Sequence, residues 1–141
     1  MLFGRHVNNL DSKGRVFLPS KFRSDLGSSV VVFKGSRPCI MMFTEDEFLR
    51  FYDKLIKSGS REVDAQDEIR FLSYSAETIE PDAQGRIMIP EGLRAYAGLE
   101  KEVAFMGMVK YVEIWDANRS TDAVSGVDPT GIDKRLRENG Y

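Results

Sequence analysis

The sequence predicts an α+β protein in which a small β-rich unit occurs twice, with both copies built around one small β-barrel of mixed strands. The main observation is a repeated motif: Asp-Ser-Lys-Gly-Arg-Val-Phe-Leu-Pro at residues 11–19 returns as Asp-Ala-Gln-Gly-Arg-Ile-Met-Ile-Pro at residues 82–90. A helical pattern separates the copies. A chain of 141 residues fits one domain, or two very small units fused around a common core. A duplication with pseudo-twofold symmetry explains a single repeat better than a solenoid does.

Each copy of the motif predicts a turn followed by a short buried strand. The aspartate caps the local backbone, and the glycine supplies the positive φ that the turn needs. The residues expected to hold the turns are Asp11, Gly14, Asp82 and Gly85. The apolar triplets at residues 16–18 and 87–89 then predict the two strands.

Proline and glycine delimit the elements that follow. The proline after each triplet ends the strand and opens a short helix, and a later glycine is placed to end that helix. The predicted helices are residues 20–26 and 91–97, and the predicted later strands are residues 30–34, 39–43, 102–106 and 111–115. Because a sheet of four short strands is marginal by itself, we expect the two copies to interleave and share one core.

Two helices are predicted between the copies. Thr44-Glu-Asp-Glu47 has the pattern of a capping box, Phe43 is placed to pack on Phe48, and Gly59 marks the end of the first helix. The second helix, predicted over residues 62–74, is expected to bury Val63, Ile69 and Leu72. Acidic residues dominate both helices, so we expect this insert to pack on the barrel or on a neighbouring subunit rather than to enter a DNA groove.

The tail from Asn118 onward is polar and is interrupted by glycine and proline. We expect partial disorder there, with only residues 132–138 forming a last helical turn or two.

The composition argues against several classes of protein. One cysteine and one histidine provide neither a disulfide framework nor the clustered ligands of a metal site. We expect Cys39 to be a buried thiol and His6 to be a strand residue. No nucleophile or phosphate-binding motif is present, so we expect neither an enzyme nor a cofactor. The apolar runs are far shorter than the roughly 20 residues of a membrane helix, and the polar N-terminus does not resemble a signal peptide. A cytoplasmic location is expected.

The charges of the two motif copies differ, although the net charge of the whole chain is only −2. Residues 11–23 hold Lys13, Arg15, Lys21 and Arg23 against Asp11, whereas residues 82–94 balance Arg86 and Arg94 with Asp82 and Glu91. A surface that meets DNA phosphates needs such a basic excess, and arginine is well shaped to bind guanine. The alternative is structural: each aspartate pairs with the arginine of its own motif simply to hold the turn.

The paired turns resemble the Asp-x-x-x-Arg signature of the MraZ family. The initial Met-Leu-Phe-Gly, the Pro-x-Lys-Phe-Arg at residues 19–23, the Leu-Arg at residues 93–94 and the Glu-Ile-Trp-Asp at residues 113–116 are similar to that family as well. The resemblance covers residues 1 to about 117 in order, with the helical insert in place.

The resemblance implies two SpoVT-AbrB-like domains of the swapped-hairpin type. The expected boundaries are residues 5–47 for the DNA-facing first domain, 48–75 for the insert, 76–119 for the second domain and 120–141 for the tail. It further implies a bacterial, nucleoid-associated regulator that assembles into a ring-shaped, octamer-like homo-oligomer. Such a regulator binds short direct repeats in promoter DNA and represses the division and cell-wall gene cluster, including its own operon.

The resemblance also assigns roles to residues. Lys13 and Arg15 are expected to contact double-stranded DNA, with Arg5, Lys21 and Arg23 nearby. Arg86 matches the motif, but its surroundings are neutral, with Gln84 in place of a lysine. The alternatives are a ring-forming scaffold protein that does not bind DNA, and an antitoxin or transition-state regulator of the AbrB type.

Overall fold

The computed structural model describes residues 1–58 and 62–141, and of residues 62–64 only the helical backbone. The described strands are β1 Leu2–Asn9, β2 Arg15–Phe17, β3 Val30–Lys34, β4 Ile40–Thr44, β5 Glu77–Ile79, β6 Arg86–Met88, β7 Glu102–Val109 and β8 Val112–Asp116. The described helices are α1 Ser20–Leu26, α2 Glu45–Ser58, α3 Glu62–Ser75, α4 Glu91–Ala97, α5 Ala117–Ser125 and α6 Thr130–Glu138. The α+β class is therefore confirmed.

The strands form one six-stranded antiparallel sheet in the order β1-β7-β8-β4-β3-β5, and a separate two-stranded ribbon of β2 and β6. Four strand pairs join the two motif copies, namely β1 with β7, β3 with β5, β4 with β8 and β2 with β6, whereas β3–β4 and β7–β8 are pairs within one copy. The order of the sheet is unchanged when every strand is exchanged for its counterpart in the other copy. Each copy thus supplies strands that complete the sheet of the other.

The expectation of a barrel with mixed strands is wrong. All the strand pairs are antiparallel, and the edge strands β1 and β5 do not pair with each other among the described residues. The ribbon strands have three residues each and hydrogen-bond to one another, so they do not bridge the two edges. β5 is equally short, and Pro81, which has no N–H donor, follows it. The sheet consequently stays open.

The core lies between the sheet, the ribbon and the short helices α1 and α4. The largest fully buried side chains in it include Phe22, Phe105, Leu18, Leu26, Ile87 and Ile89. The predicted bounds of both short helices are confirmed, because proline and glycine delimit them locally. Val16 at the centre of β2 and Ile87 at the centre of β6 contribute to the same core, so both copies depend on it.

The helical insert packs on the outer face of the sheet through an aromatic cluster. The predicted cap is present, since the Glu47 N–H donates to Thr44 Oγ1 over 3.2 Å. Phe43 packs on Phe51 at 5.1 Å between ring centroids, one turn beyond the Phe48 that the sequence suggested. Leu72 of α3 is buried in this cluster. The predicted stop at Gly59 and the predicted burial of Val63 lie outside the described residues.

The expectation that only residues 132–138 of the tail are helical is wrong, because Ala117–Ser125 forms α5, while α6 confirms the predicted helix near residues 132–138. Asp116 caps α5 by accepting a hydrogen bond from the Arg119 N–H. Ala117 and Ser120 are buried against the sheet, although the segment has a polar sequence. None of the helices in the described ranges is long and apolar enough to cross a membrane.

Candidate nucleic-acid interface

The first motif copy forms a tight turn held by one carboxylate. Asp11 Oδ1 accepts hydrogen bonds from the backbone N–H groups of Lys13 at 2.9 Å and Arg15 at 2.8 Å. Asp11 Oδ2 accepts from Arg15 Nε at 2.8 Å. Gly14 has a φ of 81°, a conformation that glycine adopts without strain. The aspartate therefore shapes the backbone and orients the arginine together.

The second copy repeats this geometry almost atom for atom. Asp82 Oδ1 accepts from the N–H groups of Gln84 and Arg86, both at 2.9 Å, and Asp82 Oδ2 accepts from Arg86 Nε at 2.8 Å. Both ion pairs of the structural interpretation are thus present. In the described part of the chain, the Nη atoms of Arg15 and Arg86 donate to no protein acceptor. Each guanidinium keeps donors available for a ligand.

The pKa of Asp11 lies below its ordinary value, chiefly because the Arg15 N–H donates to the carboxylate and then because the Arg15 side chain does so too. The pKa of Asp82 is lowered for the same reasons by Arg86. Both carboxylates are consequently ionised at neutral pH, which keeps the two arginines oriented.

The ribbon brings the two turns onto one surface. Arg15 is paired with Met88, Val16 with Ile87, and Phe17 with Arg86. Since side chains alternate along a strand, the two arginines share the outward face with the phenylalanine and the methionine. Backbone bonds join the copies here as well, because the Leu18 N–H donates to the Gly85 carbonyl at 2.9 Å. In the sequence the two turns are 71 residues apart, whereas in the structure they lie side by side on the ribbon.

An arginine from each short helix crosses to the turn of the other copy. A Cβ added to Gly14 would lie 1.7 Å from Arg94 Nη1, and one added to Gly85 would lie 2.6 Å from Arg23 Cζ. Arg23 also donates from Nε to the Leu18 carbonyl at 3.2 Å. A side chain at either glycine would displace the arginine that lies against it, in addition to straining the positive-φ backbone.

Phe17, Met88 and Arg94 belong to this surface but were missed by the sequence reasoning. The repeat aligns Phe17 with Met88 and Arg23 with Arg94, which was the available signal. The alignment does not show that these residues lie on one surface, because that depends on strand pairing between the copies, which no local sequence pattern shows.

The remaining predicted site residues lie around the ribbon. Lys13 is exposed at the tip of its turn. Arg5, His6, Lys21 and Arg23 line a cleft of about 560 Å³ between β1 and α1 whose lining includes no acidic residue. Arg5 is partly engaged, because its Nε donates to Ser120 Oγ at 2.9 Å and its Nη2 to the Ala117 carbonyl at 3.1 Å. Arg5 therefore links the cleft to α5.

Cys39 and His6, the single cysteine and histidine of the chain, both pack against other side chains. Burial raises the pKa of the Cys39 thiol to about 12, so the thiolate needed for nucleophilic chemistry is scarce at neutral pH. His6 packs its ring edge-on against Phe22 at 5.0 Å. The described residues contain no group of three or more His, Cys, Asp or Glu side chains that could hold a metal ion.

Comparison with known families gives these turns a context. The family model described as "MraZ protein, putative antitoxin-like" matches residues 1–71 and 72–125. The chain belongs to the MraZ family. The resemblance inferred from the motifs is thereby confirmed.

Curated MraZ relatives are similar over most of the chain. "Transcriptional regulator MraZ" of Arthrobacter sp. (strain FB24) is 44% identical over 118 residues, covering 83% of this chain and 82% of the relative. The protein of the same name from Acetivibrio thermocellus is 39% identical over 119 residues, covering 84% and 83%. That of Kineococcus radiotolerans is 36% identical over 135 residues, covering 96% and 94%. The last match takes in most of the tail, which the motifs alone did not connect to MraZ.

Proposed function

We propose that this chain is a transcriptional regulator that binds promoter DNA with the outward face of the β2–β6 ribbon. The observation that carries the proposal is the placement of two aspartate-oriented arginines, Arg15 and Arg86, on one exposed two-stranded surface. The names of the curated MraZ relatives support a role in transcription. A two-stranded ribbon fits the major groove of B-DNA, and an oriented guanidinium can bind guanine through two hydrogen bonds.

The residues around the ribbon have complementary roles in this proposal. Lys13 and Lys21 contact backbone phosphates, and Arg23 and Arg5 add positive charge at the adjoining cleft. Asp11, Gly14, Asp82 and Gly85 do not contact DNA but hold the two turns. The overall charge of −2 is compatible with DNA binding, because the local charge of a surface governs its meeting with phosphates, and the ribbon and its cleft carry Arg15, Arg86, Lys21 and Arg23.

The MraZ membership supports a finer proposal. Residues 5–47 and 76–119 form two swapped-hairpin domains of the SpoVT-AbrB type, with the insert at 48–75 and the tail at 120–141. Several chains assemble into an octamer-like ring that binds short direct repeats in the promoter of the division and cell-wall cluster, and the ring represses that cluster together with its own operon. Linked copies on repeated sites gain affinity through effective concentration. The protein acts at the nucleoid in the cytoplasm.

A scaffold role without DNA is the second candidate. It is favoured by an apolar cavity of about 560 Å³ on the insert face, lined by Phe33, Met41, Phe51, Phe71 and Leu72 with polar neighbours. Such a surface suits another protein. Salt separates the two candidates, since binding to DNA weakens steeply as salt rises and binding through an apolar surface does not.

The test is a fluorescence-anisotropy titration of DNA from upstream of the chain's own gene, with a scrambled duplex for comparison. Arg15→Ala is expected to weaken specific binding by about 5- to 150-fold, the range of one bidentate base contact. Lys13→Ala weakens binding to both duplexes and reduces the salt slope by about one. Arg37→Ala, which removes an exposed arginine on the β3–β4 loop, is the charge-matched control and leaves affinity nearly unchanged.

The variant Arg86→Ala measures the contribution of the second turn to DNA affinity. A smaller loss than for Arg15→Ala is expected, because Gln84 stands where the first turn has Lys13. Equal losses would contradict that unequal role. No loss from Arg15→Ala would refute the assignment of the ribbon as the DNA-binding surface.

A further inference from the structure

We propose that Phe17 is a positioning residue that holds the guanidinium of Arg86 on the ribbon, so that the two motif arginines are restrained unequally. This inference rests on the proposed function and deepens it. It concerns an aromatic side chain that carries no charge and belongs to the other motif copy.

Phe17 is a large apolar side chain left in solvent inside an otherwise buried segment. Its exposed fraction is 44%, whereas those of the adjacent Val16 and Leu18 are 1% and 2%. The ring therefore stands on the outward face with the arginines and takes no part in the core.

Two guanidinium groups lie over that ring. Arg86, its cross-strand partner, has Cζ 5.8 Å from the ring centroid, and Arg23 has Cζ at 6.0 Å. These distances lie within the range of a cation–π interaction. Arg86 is thus restrained twice, by the bond from its Nε to Asp82 and by the Phe17 ring. A side chain that is already ordered loses less conformational entropy when it binds.

The corresponding position in the other copy lacks the ring. The cross-strand partner of Arg15 is Met88, an unbranched and flexible side chain. Among the residues that the structure describes, Asp11 orients Arg15 and no aromatic ring lies beneath its guanidinium. The extra lysine of the first turn favours Arg15, whereas the aromatic ring favours Arg86 and offsets only part of the disadvantage of its neutral neighbour Gln84.

The ring also joins the two copies at the surface. Phe17 and Arg23 come from the first copy, while Arg86 and the Gly85 on which Arg23 lies come from the second. The ordering of the Arg86 side chain therefore requires both copies. Strand pairing between the copies thus affects DNA binding as well as folding.

The test compares Phe17→Leu with Phe3→Leu, the same uncharged change at another exposed phenylalanine, which is 54% exposed on β1 and lies outside the ribbon. In the promoter titration, Phe17→Leu is expected to weaken binding by about two- to fivefold, the equivalent of an exposed cation–π contact. The salt slope is unchanged, because no phosphate-binding charge is removed. Phe3→Leu leaves affinity unchanged, and Phe17→Tyr, which keeps a ring, retains wild-type affinity. In an Arg86→Ala background, Phe17→Leu produces no further loss.

A DNA-free measurement checks the contact itself. The side-chain protons of Arg86 are expected to be shifted by the ring current of Phe17 in NMR spectra, and Phe17→Leu abolishes that shift. Unchanged Arg86 shifts overturn the contact. The positioning role is overturned if Phe17→Leu keeps full affinity, or if it loses the same affinity in the wild-type and the Arg86→Ala backgrounds. In either case, binding of promoter DNA by the wild-type protein still supports the proposed function. Failure of the wild-type protein to bind promoter DNA overturns both.

Discussion

Val16 of β2 and Ile87 of β6 face each other across the ribbon, so the change Val16→Ala tests whether the two motif copies fold as one unit. Val16 is 1% exposed and lies in the core cluster that also contains side chains of the second copy. Two methyl groups are removed by the change, which costs about 1.6 kcal/mol of transfer free energy at about 0.8 kcal/mol per group. The cavity left behind raises the expected loss of unfolding free energy to about 2–3 kcal/mol.

The assay is urea unfolding at one fixed protein concentration, followed by fluorescence of Trp115 and by circular dichroism. Trp115 is the only tryptophan of the chain, lies in β8 of the second copy and is 4% exposed. A change in the first copy should therefore move the transition of a reporter in the second. Both probes are expected to show one coincident transition, shifted to lower urea.

Val124→Ala is the control, because Val124 is 56% exposed on α5 and its truncation should change the free energy of unfolding by less than about 0.5 kcal/mol. A Trp115 transition that stays in place while the circular-dichroism transition splits would show two independently folding copies. That result would refute the shared core.

Two further predictions follow from the shifted pKa values. Cys39, with a pKa of about 12, should resist alkylation by iodoacetamide at pH 8 in the folded protein and react fully in urea. Mass spectrometry measures the extent of alkylation. Rapid labelling of the folded protein would contradict the burial of the thiol. The pKa values of Asp11 and Asp82 are lowered on folding, so each carboxylate stabilises the fold above the ordinary pKa of aspartate and loses its contribution as the pH falls through the lowered value. The urea midpoint of wild type should therefore fall more between pH 5 and pH 3 than that of an Asp11→Asn/Asp82→Asn variant; parallel curves would contradict this.

Local signals predicted the elements well. Proline before and glycine after α1 and α4 determine their limits, because both residues act on the backbone at their own positions. The Asp-x-x-Gly-Arg turns were predicted with their hydrogen-bonding aspartate and positive-φ glycine for the same reason.

Long-range features were not predictable in this way. Whether the sheet closes depends on which strands meet, and the contact between Arg94 and Gly14 exists only because the copies exchange strands. Helix α5 was not predicted, because its sequence is polar and does not indicate that Ala117 and Ser120 are buried. Arg5 was assigned to the candidate surface by the family resemblance, but its hydrogen bonds to α5 became visible only in three dimensions.

The pairing of β1 with β7 has a consequence for protein synthesis. A ribosome that has completed the first copy has made β1, but the partner strand at Glu102–Val109 is still to come. The nascent chain therefore cannot finish folding copy by copy, and a transcript truncated between the copies yields a fragment with an unpaired strand rather than half of a working protein. Loss of either copy from the gene would likewise unfold the other unless a second chain supplied the missing strands.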